Sequence, residues 1–477
     1  MAVKRGQTLD MEIESVAFGG RGLTRIDGMA VFVDGAVPGD RVQARITRKK
    51  KQYAEARTLS LLRPSPDRVA APCPYNGHCG GCKWQFLRYD RQVAYKRQHV
   101  VEALAHIAGL TDVPVHPTVE ADPIFGYRNK MEFSCADRRW LLPSELGRED
   151  LRTDFALGLH VPGTFHKVLD ISACLLQPET GNTILGIVRE AMIASGAPAY
   201  GLRSHEGFWR FLVLRHGVAE DRWMVNLVTS AEDRAVVDPI ARQLMASGPT
   251  VASVVNHITS RKAGVAIGER EVHLAGDRSL RERIGPYTFE ISAASFFQTN
   301  TRGAANLYEV TRRLARLTGG ETVVDLYCGT GTIGIFLSDR ASRVLGLEVV
   351  DRAVADAEKN ARNNGVVNCR FLAGDVRTTL SAVEEPPDVM VIDPPRDGMH
   401  KDVVAGVMAL APRRIVYVSC NPATQARDIA VLAEAYRVAE VQPVDLFPHT
   451  WHIESVARLE RLAGAANGMD RPSPEGT

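Results

Sequence analysis

The chain has 477 residues, 45% of them apolar and 24% charged, with a net charge of +2. This composition excludes a collagen-like or disordered chain, and at about 150 residues per domain the length makes roughly three globular domains. No run approaches the roughly 18 consecutive apolar residues of a membrane helix, and MAVKRGQTLDMEIE lacks the apolar core of a secretory signal, so a cytoplasmic protein is expected. The near-neutral total hides an asymmetry: residues 1–115 carry 18 Lys and Arg against 11 Asp and Glu, and the remainder carries 40 against 45. A basic N-terminal part on a mildly acidic body points to a polyanion met at one end.

Residues 3–60 predict a small β unit. MEIESVAFGG, GMAVFVDGAVPGDRVQARI and EARTLSLL alternate apolar and polar side chains between Gly-Gly, Asp-Gly and Pro-Gly-Asp turns. Five or so short strands rimmed by Arg45, Arg48, Lys49, Lys50 and Lys51 fit a barrel of the oligonucleotide-binding (OB) kind. The segment resembles a TRAM domain, an RNA-binding barrel, which puts a first domain at 1–62. RPSPDRVAAPCP (63–74) reads as a linker. Cys73, Cys79 and Cys82 then fall within ten residues, whereas Cys135, Cys174, Cys328, Cys369 and Cys420 are dispersed. A cytosolic chain of this size needs no disulfides, so such a cluster reads as metal ligands or redox groups. Gly77, Gly80 and Gly81 let the backbone wrap a compact inorganic centre, with the fourth ligand open among Cys135, Cys174 and His78.

Apolar Val93, Val100, Val101, Leu104 and Ile107 predict a helix within 84–110, stopped at Gly109. From about 120 to 298 the chain is mostly strand-like, interrupted by an amphipathic helix at TGNTILGIVREAMIA, which gives a mixed α+β central domain over 63–298. Cations and rings interleave at Lys83, Trp84, Phe86, Arg88 and Tyr89, and again at Tyr127, Arg128, Lys130 and Phe133. That mixture suits single-stranded RNA, with core packing the alternative for each residue. After the expected helix cap Asn300, strands TVVDLYC, RVLGLEV, CRFLAGD, DVMVIDPP and RIVYVSC alternate with helices. This is the pattern of an α/β domain with a parallel, doubly wound, Rossmann-like sheet, placed at 299–463, with a disordered tail at 464–477. Ligands in such sheets lie beyond the C-terminal strand ends, where Asp325, Glu348, Asp375, Asp393 and Cys420 collect.

DLYCGTGTIG places Gly329, Gly331 and Gly334 in G-x-G-x-x-G spacing between a strand and a helix, with the acidic Glu348 ending the next strand. NAD and S-adenosylmethionine both use such a loop. Asp375 and the rigid Asp393-Pro394-Pro395 favour S-adenosylmethionine, because a base acceptor must be held against a sulfonium methyl. Cys420 ends the fifth strand, and Glu454 follows among His449, Trp451 and His452. An exocyclic amine attacks a methyl sulfonium unaided. Carbon 5 of uracil does so only after a thiolate has added to carbon 6, and a base must later remove the carbon 5 proton. Cys420 and Glu454 are the candidates for those two tasks.

FFQTN, DLYCGTGTIG, DPPRDG, SCNPAT and PHTWHIESV, in this order, resemble the RNA uracil-C5 methyltransferase family, the 5-methyluridine synthases of tRNA and 23S rRNA. The resemblance implies methyl-donor contacts at Gln298, Tyr327, Glu348, Asp375 and Asp393, a nucleophile at Cys420 and a proton acceptor at Glu454. With the barrel and cysteine cluster it is similar to the 23S rRNA members, which implies a [4Fe-4S] cluster on Cys73, Cys79, Cys82 and Cys174; zinc is the alternative. Radical methylthiotransferases also join a cluster to such a barrel, but they space their cysteines Cys-x3-Cys-x2-Cys, and here the first gap is five. The expected partner is structured RNA, with no membrane and no obligate protein partner indicated. A non-catalytic RNA-binding protein and an amino-directed RNA methyltransferase are the competing readings, and the Cys420–Glu454 pair argues against both.

Overall fold

The computed structural model describes residues 3–246 and 250–464. Its N-terminal sheet has six strands, ordered Thr8–Glu12, Arg41–Lys49, Tyr53–Arg63, Met29–Asp34, Arg21–Ile26 and Ser15–Ala17. Alternation sends Val31, Val33, Val42, Ala44, Ile46, Ala54 and Ala56 into one core with Met11 and Ile13. The two edge strands are consecutive in the chain. Between them Ile13 N donates to Asp40 O (2.9 Å) and Glu14 N to Leu23 O (3.0 Å), which joins the edges into a barrel. The basic rim, Arg45, Arg48, Lys49, Lys50 and Lys51, is exposed.

The segment read as a linker is mostly exposed but is pinned to the barrel at Ser65 and Arg68. Asp40, fully buried, accepts hydrogen bonds from Ser65 N (2.9 Å) and from Arg68 Nε (2.7 Å), and Arg68 lies 4.5 Å over the Phe86 ring. A buried carboxylate needs such partners, and the proline-rich stretch supplies them. Helix Tyr89–Ile107 follows and stops ahead of Gly109 (φ +69°). Its Val100 and Leu104 join the core of the C-terminal domain, together with Ile429 and Leu432 of helix Pro422–Leu432.

The central sheet runs Arg270–Gly276, Val251–Ile258, Arg222–Thr229, Trp209–Gly217, Lys130–Ala136, Ala156–His160 and Val168–Asp170. It is antiparallel except where helix Arg234–Ala246 crosses between Arg222–Thr229 and Val251–Ile258 and leaves them parallel. That helix and Glu179–Ala194 cover one face, burying Leu212, Leu214, Val225 and Leu227. A hairpin, Ser279–Ile284 with Tyr287–Ser292, comes next; its Ile284, Phe289 and Ile291 pack with Phe297 into the C-terminal core.

The C-terminal sheet runs Cys369–Ala373, Arg343–Glu348, Thr322–Leu326, Val389–Ile392, Arg414–Ser419, Glu454–Arg461 and Tyr436–Val444. The first five strands and Tyr436–Val444 run in one direction, and Glu454–Arg461 between them runs antiparallel to both its neighbours. Helices cover both faces, so Val389, Met390, Val391 and Ile392 are all fully buried. Strand order reverses between Thr322–Leu326 and Val389–Ile392, which opens a crevice at their C-terminal ends. Among the described residues no helix is long and apolar enough to cross a membrane. Residues 465–477 of the expected tail lie outside the described residues.

Candidate active site

The glycine loop sits at that crevice. Tyr327 (φ +63°), Gly329 (φ +54°) and Gly331 (φ +75°) turn it tightly, and a Cβ on Gly331 would come within 2.8 Å of Phe371. Gly334 N donates to Asp325 Oδ2 (2.9 Å), while the buried Asp325 Oδ1 has no hydrogen-bond partner. Glu348 braces the loop by accepting from Gly329 N (3.1 Å) and Val350 N (2.9 Å). Each of its oxygens keeps a second lone pair for a hydroxyl donor. Asp375 caps the short turn Val376–Thr379 and accepts from Arg377 Nε (2.9 Å), which holds its carboxyl down at about 2. Gln298 lies at the joint between domains, its main-chain oxygen accepting from Asn129 Nδ2 (2.9 Å) one turn before helix Thr301–Ala315.

Cys420 and Glu454 meet because of strand register. Glu454–Arg461 runs antiparallel to Arg414–Ser419 with Ser455 opposite Ser419, so the residue before Ser455 and the residue after Ser419 share one end of the sheet. Glu454 is 5% exposed. Burial, then repulsion from Asp393, pushes its carboxyl well above the usual range, while Arg396 opposes the shift. Burial, Glu454 and Asp393 push the Cys420 thiol up to about 11, and Arg396 again opposes. Asp393 is raised to about 7 by burial, and Asp325 to about 8 by burial, Asp393 and Glu348. The crevice is thus rich in buried carboxylates, with Arg396 the cation that opposes the rise of Glu454. Arg396, within the DPPRDG motif, was not singled out in the sequence. Its carbonyl accepts from Asn421 Nδ2 (3.0 Å) and Thr424 Oγ1 (3.2 Å), which fastens its turn to the loop that follows Cys420.

The loop leading to Glu454 is anchored from the N-terminal half. Lys96 Nζ donates to Asp445 Oδ1 (2.7 Å) and Phe447 O (3.0 Å), with both charged side chains fully buried. Tyr89 Oη donates to Asp445 Oδ2 (3.0 Å), and Gln92 Oε1 accepts from His449 N (2.8 Å). The signal for these contacts was present: Gln92, Lys96 and His99 occupy the buried stripe of a helix whose other members are Val93, Val100 and Leu104. Lys96→Met strands the Asp445 carboxylate. It is expected to lower the unfolding free energy by about 3–5 kcal/mol, read from urea midpoints, with Asp445→Leu on top recovering part of the loss.

Cys73, Cys79, Cys82 and Cys174 line one cavity of about 540 Å³ with Arg128, Gln85 and Thr299. Each sulfur is offered N–H donors: Tyr75 and Asn76 for Cys73, Gly81 for Cys79 (3.3 Å), Gln85 Nε2 for Cys82 (3.1 Å), and Leu176 and Gln177 for Cys174. Cys135 is fully buried in the central core and does not line the cavity, nor does His78. Among the described residues no group of three or more His, Cys, Asp or Glu is placed to hold a metal ion. Arg128 N donates to Leu176 O (2.8 Å), and Tyr127 Oη to Pro448 O (3.2 Å), so two adjacent residues join the thiol cavity to the Glu454 loop. Tyr127, Trp84 and Phe133 are core residues rather than RNA contacts, because their rings are buried.

The model of the tRNA (uracil-5-)-methyltransferase family matches residues 276–462, and that of the TRAM domain residues 2–59. An uncharacterized RNA methyltransferase of Chlorobaculum tepidum is 44% identical over 91% of this chain and 92% of its own. One from Porphyromonas gingivalis is 40% identical over 94% of this chain and 99% of its own. Among solved structures, the Pyrococcus abyssi tRNA (uracil-54, C5)-methyltransferase in complex with S-adenosyl-L-homocysteine is 29% identical. It covers 94% of this chain and 100% of its own, with a TM-score of 0.73.

Proposed function

The chain belongs to the RNA uracil-C5 methyltransferase family, and from that premise we propose that it uses S-adenosylmethionine to form 5-methyluridine through a covalent bond from Cys420 to uracil carbon 6. The donor supplies an electrophilic methyl group on a positive sulfonium. Its charge suits a crevice in which Asp325, Asp393 and Glu454 are all raised by burial, and Asp325 and Glu454 also by repulsion from Asp393. The proposed donor-contact set is Gln298, Tyr327, Glu348, Asp375 and Asp393.

The Cys420 thiolate adds to carbon 6 and pushes the ring electrons onto carbon 5 and the carbonyl. Carbon 5 then takes the methyl group, and the sulfonium leaves as a neutral thioether. Glu454, as carboxylate, removes the carbon 5 proton; the carbon 5–6 double bond re-forms and the carbon–sulfur bond breaks, which frees the thiolate. Arg396, which lowers both the thiol and the carboxyl, favours the charged forms these steps need. The observation that carries the reading is the register that sets Cys420 beside Glu454 at the strand ends, one and two strands along the sheet from the reversal that holds the glycine loop.

The preferred substrate is 23S rRNA, supported by the pairing of barrel and cysteine cavity. A tRNA substrate is the second reading, favoured by the whole-chain likeness to a tRNA (uracil-54, C5)-methyltransferase. Mass spectrometry of nucleosides from both RNAs, in strains with and without the gene, decides between them. 5-Methyluridine is expected to vanish from one; a lost methyl mark on nitrogen or ribose oxygen overturns the proposal.

Cys73, Cys79, Cys82 and Cys174 would hold a [4Fe-4S] cluster. The fit rests on four thiols lining one cavity; burial raises all four, and the N–H donors offered to each sulfur oppose that rise. Such a cluster would brace the cysteine-bearing turn against the central domain. Anaerobically purified protein is expected to be brown with about four irons. Cys174→Ala is expected to lose them and Cys135→Ala to keep them. Stoichiometric zinc without iron overturns the assignment.

A further inference from the structure

The barrel meets the Glu454 loop at the turn after strand Ser15–Ala17. Strand and turn are also held by the segment around helix Tyr89–Ile107: His99 Nε2 pairs with Val16 O (3.3 Å), and Trp84 Nε1 donates to Gly20 O (3.2 Å). Gly20 lies so close that a Cβ would stand 3.3 Å from both Trp451 and Trp84. The apolar seam of this joint is Val16, Val37, Trp84 and Leu87, with Trp451 packed at its margin. Phe18, at the tip of the turn, is not part of that seam and is 40% exposed. Its ring packs edge-on against the buried His99, with centres 5.7 Å apart, yet much of the residue stays open to solvent, more than that packing requires.

Phe18 stands edge-on to Trp451, with ring centres 4.7 Å apart and planes at 80°. Trp451 in turn lies 4.0 Å from the His452 ring at 31°. Glu454 is two residues further on. A file of partly exposed rings therefore runs from the barrel to the proton acceptor, and a base removed from its stack for reaction leaves neighbours that need a surface. Aromatic faces supply that surface at about 1–3 kcal/mol per base. We propose that Phe18 and Trp451 form a stacking platform, shared between the barrel and the Glu454 loop, for a nucleotide flanking the target uridine. The barrel thereby sets where the reacting base lies relative to Cys420. This rests on the methyltransferase reading above.

The test uses the full-length protein and a synthetic hairpin of the RNA shown to carry the mark, with 2-aminopurine on either side of the target uridine. Wild-type protein is expected to quench one of the two probes as it stacks. Phe18→Ala and Trp451→Ala are expected to abolish the quenching and raise KM for RNA about 10-fold, with kcat at saturating RNA within about twofold. Phe18→Tyr is expected to restore both, whereas Phe18→Leu, which keeps bulk but not the flat ring, is expected to restore neither. Unchanged KM and quenching in Phe18→Ala overturn the platform while wild-type methylation leaves the catalytic reading intact. A fall in melting temperature that Phe18→Leu repairs together with KM also overturns it, because a purely packing role does not need a flat ring. Failure of wild type to methylate any RNA tells against the reading beneath it instead.

Discussion

Under the proposed mechanism, Cys420→Ala is expected to lower methyl transfer by roughly a thousand-fold or more, because the thiolate addition that makes uracil carbon 5 an attacker is lost. Cys328, the nearest rival by motif, is buried under the glycine loop and held well above the usual thiol range by burial and by Asp325 and Glu348. RNA carrying 5-fluorouridine is expected to trap wild-type protein as a complex stable to denaturing gels, since fluorine cannot leave as a proton does, and to leave Cys420→Ala uncomplexed. Normal turnover by the alanine variant removes the mechanism. The same thiol sets the pH response. Its pKa is raised to about 11 in the free enzyme, so the thiolate fraction at pH 7 is about one in 10⁴ and grows tenfold per unit. kcat/KM should therefore climb from pH 7 towards pH 9. Arg396→Met, which removes the cation that lowers the thiol, should reduce kcat/KM further at neutral pH.

Glu454→Gln separates the two halves of the reaction. The amide keeps the size of the side chain but cannot accept the carbon 5 proton. Addition and methyl transfer are expected to proceed once, after which the methylated ring stays bonded to Cys420. A covalent complex should accumulate with ordinary uridine, without fluorine, while multiple turnover falls by about 10²–10⁴-fold. Labelled methyl groups would appear in the protein-bound RNA. Free methylated RNA released at the wild-type rate would place the proton acceptor elsewhere.

The parallel sheet and its strand-end residues were legible because both-face burial gives continuous apolar strands and glycine loops mark their ends. The barrel was legible from alternation and turn chemistry, down to its exposed basic rim. Other features were not. The hairpin at 279–292 alternates like the strands before it, and only packing shows Phe289 and Ile291 in the C-terminal core. The proline-rich stretch reads as a linker because Asp40 and Arg68 are ordinary surface residue types, and their burial depends on a contact 28 residues apart. Rings beside lysines and arginines look alike whether they face RNA or core, so Trp84, Tyr127 and Phe133 were candidates until burial settled them. Arg396 went unremarked because its role depends on Cys420 and Glu454, which the chain brings to it only on folding.

The ladder between Arg414–Ser419 and Glu454–Arg461 does more than place two side chains. Because pairing across strands, not the chain between, fixes the distance from thiol to carboxylate, the turn after helix Pro422–Leu432 can gain or lose residues over evolutionary time without detuning the chemistry, whereas the helix itself, with Ile429 and Leu432 in the core, cannot. A one-residue slip inside Ser455–Leu459 has no such latitude: it would invert every side chain of the strand and turn Glu454 to the opposite face. Natural length variation should therefore gather at the turn around Ala433–Ala435 and stop short of the strand.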